Sequence, residues 1–179
     1  PRLTDNDIVV SLLKKDDLEI TQHDALNVAR ISNGSFLSAL SVLGEDDENK
    51  LNFERFVMIM RLAWQVGNRK DHASLKTLKK WSDEMAAPGV GRERQKNFLS
   101  YAQRMTRENF ILNLQQPDMN YLTSYETDFS RKFSPFINER NVEDIMKEFA
   151  LAERHIEQNV NAKMVFFDLV LKVIMLLKR

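Results

Sequence analysis

The stretch ALNVARISNGSFLSALSVL (residues 25–43) separates a short N-terminal part of this chain from a longer C-terminal part. It contains two apolar runs at helical spacing that meet at an Asn-Gly pair. Their apolar residues are Leu26, Ala29 and Ile31 in the first run and Phe36, Ala39, Leu40 and Leu43 in the second. Gly34 can adopt the left-handed conformation that ends a helix, and Ser35 can cap the next helix. The stretch therefore predicts two helices joined at a structural corner formed by Asn33, Gly34 and Ser35.

Two helix-start signals precede this corner. Thr4 is followed by Asp7, and Thr21 by Asp24, which is the spacing of a capping box. Each pair comes before apolar residues at helical spacing, so residues 1–45 are predicted to hold three short helices. Three such helices bury little apolar surface and would be marginally stable alone.

The acidic run GEDDE (residues 44–48) is the predicted linker between the two parts. Beyond it, helical periodicity predicts helices over residues 51–66, 71–85, 92–114, 142–156 and 162–178. Gly67-Asn68 and Pro88-Gly89 are expected to end the first two of these helices. Asn141 is expected to cap the fourth, and the aromatic segment 121–136 is expected to be looser. The prediction is an all-α fold with domains at 1–45 and 46–179.

The overall composition points away from several functions. Lys+Arg and Asp+Glu both number 26, so the chain has no net field that would attract nucleic acid or anionic lipid. Cysteine is absent, which excludes disulfides and thiolate metal sites and fits a cytoplasmic protein. The chain begins at Pro1 without a methionine or a signal peptide, so we expect it to be a fragment of a longer protein.

No arrangement of residues in the sequence indicates catalysis or cofactor binding. Gly89-Val90-Gly91 follows a predicted helix and lacks the Gly-Lys-Ser/Thr that a phosphate-binding loop requires. The three histidines, His23, His72 and His155, lie far apart and have no companions at metal-ligand spacing. We therefore expect no catalytic residue, no metal, no cofactor and no small-molecule substrate.

The last predicted helix is apolar on nearly all sides. Twelve of the fourteen residues from 164 to 177 are apolar, and the exceptions are Asp168 and Lys172, four residues apart. The run is too short for a membrane span, which needs about 20 apolar residues. Such a helix is predicted to serve both as core and as a contact for a partner chain. The candidate interface residues are Phe166, Phe167, Val170 and Ile174.

Two stretches resemble a known family. Residues 25–43 resemble the end of the three-helix lid of AAA+ clamp-loader subunits. FSPFINERNVEDIMKEFALAERHIEQNVNAKMVFFDLVLKVIMLL (residues 133–177) resembles the end of their helical collar. Within it, HIEQNVNAKMVFFDLVLK is similar to the delta-prime type of subunit in bacterial DNA polymerase III. The resemblance implies a lid followed by an oligomerising collar. It also implies partners among the other clamp-loader subunits, with the sliding clamp and DNA reached only through the full complex.

One position within the resemblance bears on nucleotide chemistry. ATP-hydrolysing members of the family carry an arginine in a G-S-x-R pattern, whereas this chain has Leu37 there, after Gly34-Ser35-Phe36. Leucine offers a phosphate neither charge nor donor. The resemblance thus implies a non-hydrolysing subunit with no nucleotide-binding residue. The alternatives are a gamma/tau-type subunit, an unrelated helical interaction scaffold, a helix-turn-helix DNA-binding protein and an enzyme.

Overall fold

A computed structural model describes residues 3–14, 20–32, 36, 39, 46–116 and 119–178, without the side chains of Ile31, Asp46 and Asp47. Every regular element in this part of the chain is helical, which confirms the all-α prediction. The helices are α1 (Asp5–Leu13), α2 (Gln22–Ile31), α3 (Asp46–Arg69), α4 (His72–Met85), α5 (Gly91–Asn113), α6 (Ser124–Phe133), a 3-10 turn (Ser134–Phe136), α7 (Val142–Glu157) and α8 (Ala162–Leu176). None of the described helices combines the length and the apolar character that a membrane span needs.

The chain forms two compact units. Unit 1 comprises residues 1–50 and 121–129, and unit 2 comprises residues 51–120 and 130–179. The predicted division at residue 45 places 121–129 in the second part, whereas the structure groups this segment with the first. The predicted linker at 44–48 also differs, because α3 already begins at Asp46.

In unit 1, a small apolar core forms where α1 and α2 pack together. Its buried members are Ile8, Val9, Leu12, Ala25, Val28, Ala29 and Ala39. Both predicted caps are present: the Thr4 side chain accepts from the Asp7 N–H in a full capping box, and the Thr21 side chain accepts from the Asp24 N–H. The caps start α1 and α2 where the sequence predicts, and the apolar spacing brings their faces together.

Segment 121–129 joins this unit through two side chains of α2. Asn27, which is buried, donates from Nδ2 to the Leu122 carbonyl at 2.9 Å. Asp24 accepts from the Ser124 N–H at 3.0 Å and from the Ser124 hydroxyl at 2.9 Å. Burial alone would raise the pKa of Asp24, but hydrogen bonds from Thr21 and Ser124 outweigh it and hold the pKa below its ordinary value. The ionised carboxylate therefore fixes the start of α6.

Unit 2 is a helical bundle with an aromatic centre. The Trp81 ring lies 5.6 Å from that of Phe98 and 5.8 Å from that of Phe166, in edge-on arrangements that aromatic pairs favour. These three rings bring α4, α5 and α8 together. A second aromatic contact joins Phe56 on α3 to Phe133 at 6.2 Å.

Gly67 does not end its helix. α3 continues to Arg69, and the chain turns at Lys70, which has a φ of 55°. A Cβ on Gly67 would lie 3.1 Å from the backbone oxygen of Ile174 and 3.3 Å from side-chain carbons of Lys178. The residue therefore permits a close approach between α3 and the end of α8. This corrects the predicted end at residues 67–68.

Asn141 occupies the position before α7 but does not cap it. The side chain is almost fully buried and makes no hydrogen bond to the first turn of the helix. Instead Oδ1 accepts from the Asn138 N–H at 2.9 Å, and Nδ2 donates to the carbonyls of Phe136, at 2.9 Å, and Leu176, at 3.3 Å. Asn141 thus ties the 3-10 turn to the end of α8, which corrects its predicted role as a cap.

Candidate functional site

The described residues offer no metal site. Within them, no group of three His, Asp or Glu side chains is placed to hold an ion. His23 lies near its neighbours on α2, with Nδ1 3.4 Å from Asn27 Nδ2 and 3.7 Å from Asp24 Oδ1. Both contacts lie within α2, and neither involves a second histidine.

The predicted corner falls outside the described residues. Asn33, Gly34, Ser35 and the phosphate-sensing position Leu37 all belong to the undescribed part of the chain. The corner and the inferred loss of phosphate sensing therefore stay predictions.

Helix α8 buries one side in its own unit. Its buried residues are Val165, Phe166, Leu169, Val170, Val173, Ile174 and Leu176. This set includes Phe166, Val170 and Ile174, three of the four side chains predicted to face a partner, while Phe167 is half-buried. Apolar residues lie on nearly every side of this helix, so hydrophobicity alone does not distinguish its buried side. The structure corrects the choice of face for those three residues.

The other side of α8 exposes apolar side chains. Met164 is 69% exposed, Met175 is 61% exposed and Leu171 is 40% exposed. With Asp168 they follow the i, i+4, i+7, i+11 spacing of a single helix face. We call Met164, Asp168, Leu171 and Met175 the outer strip. Three large apolar side chains aligned on one exposed helix face are typical of a contact surface.

An ionic edge runs beside the outer strip. Lys172 Nζ lies 2.8 Å from Glu148 Oε2 on α7 and 2.9 Å from Asp168 Oδ2. The hydrogen bond to Glu148 and then the one to Asp168 raise the pKa of Lys172 above its ordinary value. Asp168 and Lys172 are the two residues that interrupt the apolar run of this helix, and their four-residue spacing lets them pair. The third member, Glu148, comes from a different helix, α7, so no local spacing in the sequence predicts its contact with Lys172.

A cleft between α7 and α8 adjoins this edge. It has a volume of about 470 Å³ and is lined by Leu171, Lys172 and Met175 from α8 and by Asp144, Lys147 and Glu148 from α7. One wall is therefore largely apolar and the other charged. Such a surface suits an amphipathic helix with an apolar face and a charged edge.

A second concave surface, which we call the corner groove, lies where the α4–α5 and α7–α8 connections meet. Its volume is about 760 Å³, and its polar lining residues are Asp83, Arg92, Gln95, Asn159, Asn161 and Lys163. Lys163 Nζ pairs with Asp83 Oδ1 at 2.9 Å. The Gly-Val-Gly segment that the sequence excluded as a phosphate loop contributes Gly91 to this lining.

Gln95 is the unusual member of the corner groove. It is only 4% exposed, and Nε2 donates to the Met85 carbonyl at 2.9 Å. Its buried Oε1 has no hydrogen-bond donor among the described residues. Leaving a buried acceptor unpaired costs about 1–3 kcal/mol. Nothing in the sequence pattern distinguished Gln95, because a glutamine inside a long helix is ordinarily a surface residue.

Comparison with known proteins returned no relative. No family model, no curated protein and no solved structure matches this chain.

Proposed function

We propose that this chain is the lid-and-collar portion of a clamp-loader subunit of the delta-prime type. In this proposal it assembles with other clamp-loader subunits and does not hydrolyse ATP itself. The complex so formed places the sliding clamp on DNA, which this chain reaches only through its partners. The proposal rests on the resemblance of residues 25–43 and 133–177 to the lid and the collar of that family.

The observation that carries the assembly role is the outer strip of α8. A monomeric protein seldom exposes three large apolar side chains on one helix face, as Met164, Leu171 and Met175 are exposed here. Burying each such side chain contributes about 1.5–3 kcal/mol. The strip lies within the stretch that resembles the collar. A neighbouring subunit that covered it would recover that free energy.

The cleft beside the strip supports the choice of a helical partner. Its charged wall presents Glu148, Lys147 and Asp144 next to apolar Leu171 and Met175. A partner helix could bury its apolar side on the strip and place charged residues along the α7 wall. Lys172 is already neutralised by two carboxylates, so it adds little net charge to the surface.

The experiment is assembly from purified parts. The chain is mixed with the other subunits of a bacterial clamp loader and studied by sedimentation velocity. We expect a complex of fixed stoichiometry that excess chain does not enlarge. A second sample with Met164→Lys and Met175→Lys should show the complex weakened, with unchanged helical circular dichroism.

Two results would overturn the proposal. Wild-type chain that sediments alone beside the clamp-loader subunits would leave a helical scaffold unrelated to replication as the better account. A micromolar ATP site on the chain, seen by calorimetry with ATP-magnesium, would contradict the non-hydrolysing assignment and favour a motor-type subunit.

A further inference from the structure

We propose that the outer strip of α8 pairs with the outer strip of a second copy of this chain, with the two helices antiparallel. The pairing occupies the surface to which the proposed function assigns the partner subunits, and its regulatory consequence rests on that function. A chain without partner subunits covers its assembly surface with a copy of itself, and the other subunits must displace that copy before assembly.

The spacing of the outer strip is the same in both directions along the helix. Its residues are Met164, Asp168, Leu171 and Met175, at intervals of four, three and four. When a second α8 is laid antiparallel across the middle of the strip, each Met164 faces Met175 of the other copy and each Asp168 faces the other Leu171. A contact of two identical chains about a twofold axis requires this self-complementarity, in which residue i meets residue j and j meets i.

The charges beside the strip are complementary in the antiparallel arrangement. Lys172 Nζ lies 2.8 Å from Glu148 Oε2 and 2.9 Å from Asp168 Oδ2, so these contacts use two of its three N–H donors. The Asp168 side chain is 61% exposed. In the antiparallel register, Lys172 of each copy lies next to Asp168 of the other, and the third N–H can donate to that carboxylate. A parallel pair would instead set Asp168 against Asp168 and Lys172 against Lys172, which is repulsive.

The cleft between α7 and α8 accommodates a side chain of the second copy. Leu171 and Met175 form its apolar wall, and Met175 is the residue that faces Met164 of the other chain in the antiparallel register. The cleft has a volume of about 470 Å³, and a methionine side chain is flexible enough to fill an irregular space of this kind. Met164 is 69% exposed. Each copy therefore offers one exposed methionine and one cleft beside the strip.

The small size of the contact predicts weak pairing. It covers three large apolar side chains from each copy, whereas a stable interface involves about 20–30 residues on each side. The chain has 26 Lys+Arg and 26 Asp+Glu, so two copies do not repel each other through net charge. We expect a dissociation constant of about 50 μM to 1 mM, which partner subunits with a larger contact can outcompete.

Sedimentation equilibrium of the chain alone, from about 10 μM to 2 mM, tests whether the pair forms. We expect a monomer–dimer equilibrium that Met164→Lys weakens about tenfold or more. Met58→Lys is the matched control, because it changes a methionine exposed on α3, and it should leave the equilibrium unchanged. A chain that stays monomeric over this range would overturn the proposal, and so would a dimer that Met164→Lys does not weaken.

Disulfide cross-linking tests the orientation, because the chain has no cysteine of its own. Met164→Cys and Met175→Cys chains are oxidised with glutathione disulfide, each alone and as an equal mixture. We expect mixed dimers to predominate, because like positions lie about 16 Å apart along an antiparallel pair and a disulfide needs Cα atoms within about 7 Å. Equal yields of mixed and same-position dimers, or an excess of same-position dimers, would overturn the antiparallel pairing.

Adding the other clamp-loader subunits separates this pairing from the proposed function. If both are correct, these subunits lower the yield of the mixed disulfide as they bind the chain. A chain that forms the antiparallel dimer but does not bind these subunits would contradict the proposed function alone. A chain that assembles with them but stays monomeric when alone would contradict the pairing alone.

Discussion

Replacing Asn141 by Asp distinguishes the helix-capping role that the sequence predicts from the buried hydrogen bonds that Asn141 makes in the structure. Aspartate is as good an N-cap as asparagine and also complements the helix dipole. If Asn141 capped α7, the substitution would therefore be neutral or slightly stabilising. In the structure, however, Nδ2 donates to two carbonyl oxygens, those of Phe136 and Leu176. A carboxylate would turn an oxygen toward both of them.

The magnitude follows from these contacts. Two donor bonds are lost, at roughly 0.5–1.5 kcal/mol each, and a charge is placed where the native residue is only 1% exposed. Burial beside carbonyls disfavours the ionised form, so the new carboxyl should have a raised pKa and resist ionisation. We expect Asn141→Asp to lower the free energy of unfolding by about 3 kcal/mol or more at pH 7. Because a raised carboxyl pKa makes folding costly only above the unfolded value, the loss should shrink as the pH falls toward about 4 and level off below it.

The assay is urea denaturation followed by circular dichroism, with Asn161→Asp as the matched control. Asn161 is exposed and does cap its helix, α8, so the same chemical change there should alter stability by no more than about 0.5 kcal/mol. If Asn141→Asp lowers the free energy of unfolding no more than Asn161→Asp does, the buried hydrogen bonds of Asn141 do not stabilise the fold as proposed. That result would restore the capping role that the sequence predicts.

Three further predictions address the two units and the nucleotide question. Phe166→Ala should cost about 3–5 kcal/mol by urea denaturation and Met164→Ala less than about 0.5 kcal/mol, because only Phe166 is buried; equal losses would mean that the faces of α8 are misassigned. Asp24 has a lowered pKa, so its contribution is present above the unfolded value of about 3.9 and is lost as the pH falls through the folded value. Asp24→Asn should therefore flatten the decline in stability as the pH falls below about 4 in acid titrations followed by circular dichroism, and an unchanged slope would contradict the bonds to Ser124. The chain should show no heat of binding with ATP-magnesium in calorimetry, and a saturable signal would contradict the inference that Leu37 leaves the chain without a nucleotide site.

Much of the fold follows from local signals in the sequence. The periodicity of apolar residues places α4, α5, α7 and α8 to within a few residues, and the threonine-aspartate pairs mark the starts of α1 and α2. These signals are local, because a helix and its cap are decided by residues three or four positions apart.

The sequence contains a local helix-start signal for α6, next to the aromatic residues that favoured a less regular structure. The aromatic residues of segment 121–136 predict a looser structure, whereas residues 124–136 form α6 and the 3-10 turn. Thr123 and Glu126 have the spacing of a capping box, and the Thr123 N–H donates to Glu126 Oε2 at 2.9 Å. That pair could have identified the helix start.

Tertiary contacts set the remaining features. Gly67 looks like a helix end in isolation, and only the approach of Ile174 explains its place inside α3. The buried side of α8 could not be chosen from apolar character, because nearly every residue of that helix is apolar. The position of Asp168 does indicate the exposed side of the helix. Met164 lies four residues before Asp168 and Leu171 three residues after it, so both share its exposed face.

The assembly claim is tested most directly by methionine methyl resonances of the chain, recorded with and without the other clamp-loader subunits. The eight methionines sample both buried and exposed positions. If partner subunits cover the outer strip, Met164 and Met175 should shift or broaden when partners bind, while buried Met85 and exposed Met58 and Met119 keep their positions. Shifts at Met58 or Met119 with Met164 and Met175 unchanged would place the contact elsewhere and contradict the outer strip as the assembly surface.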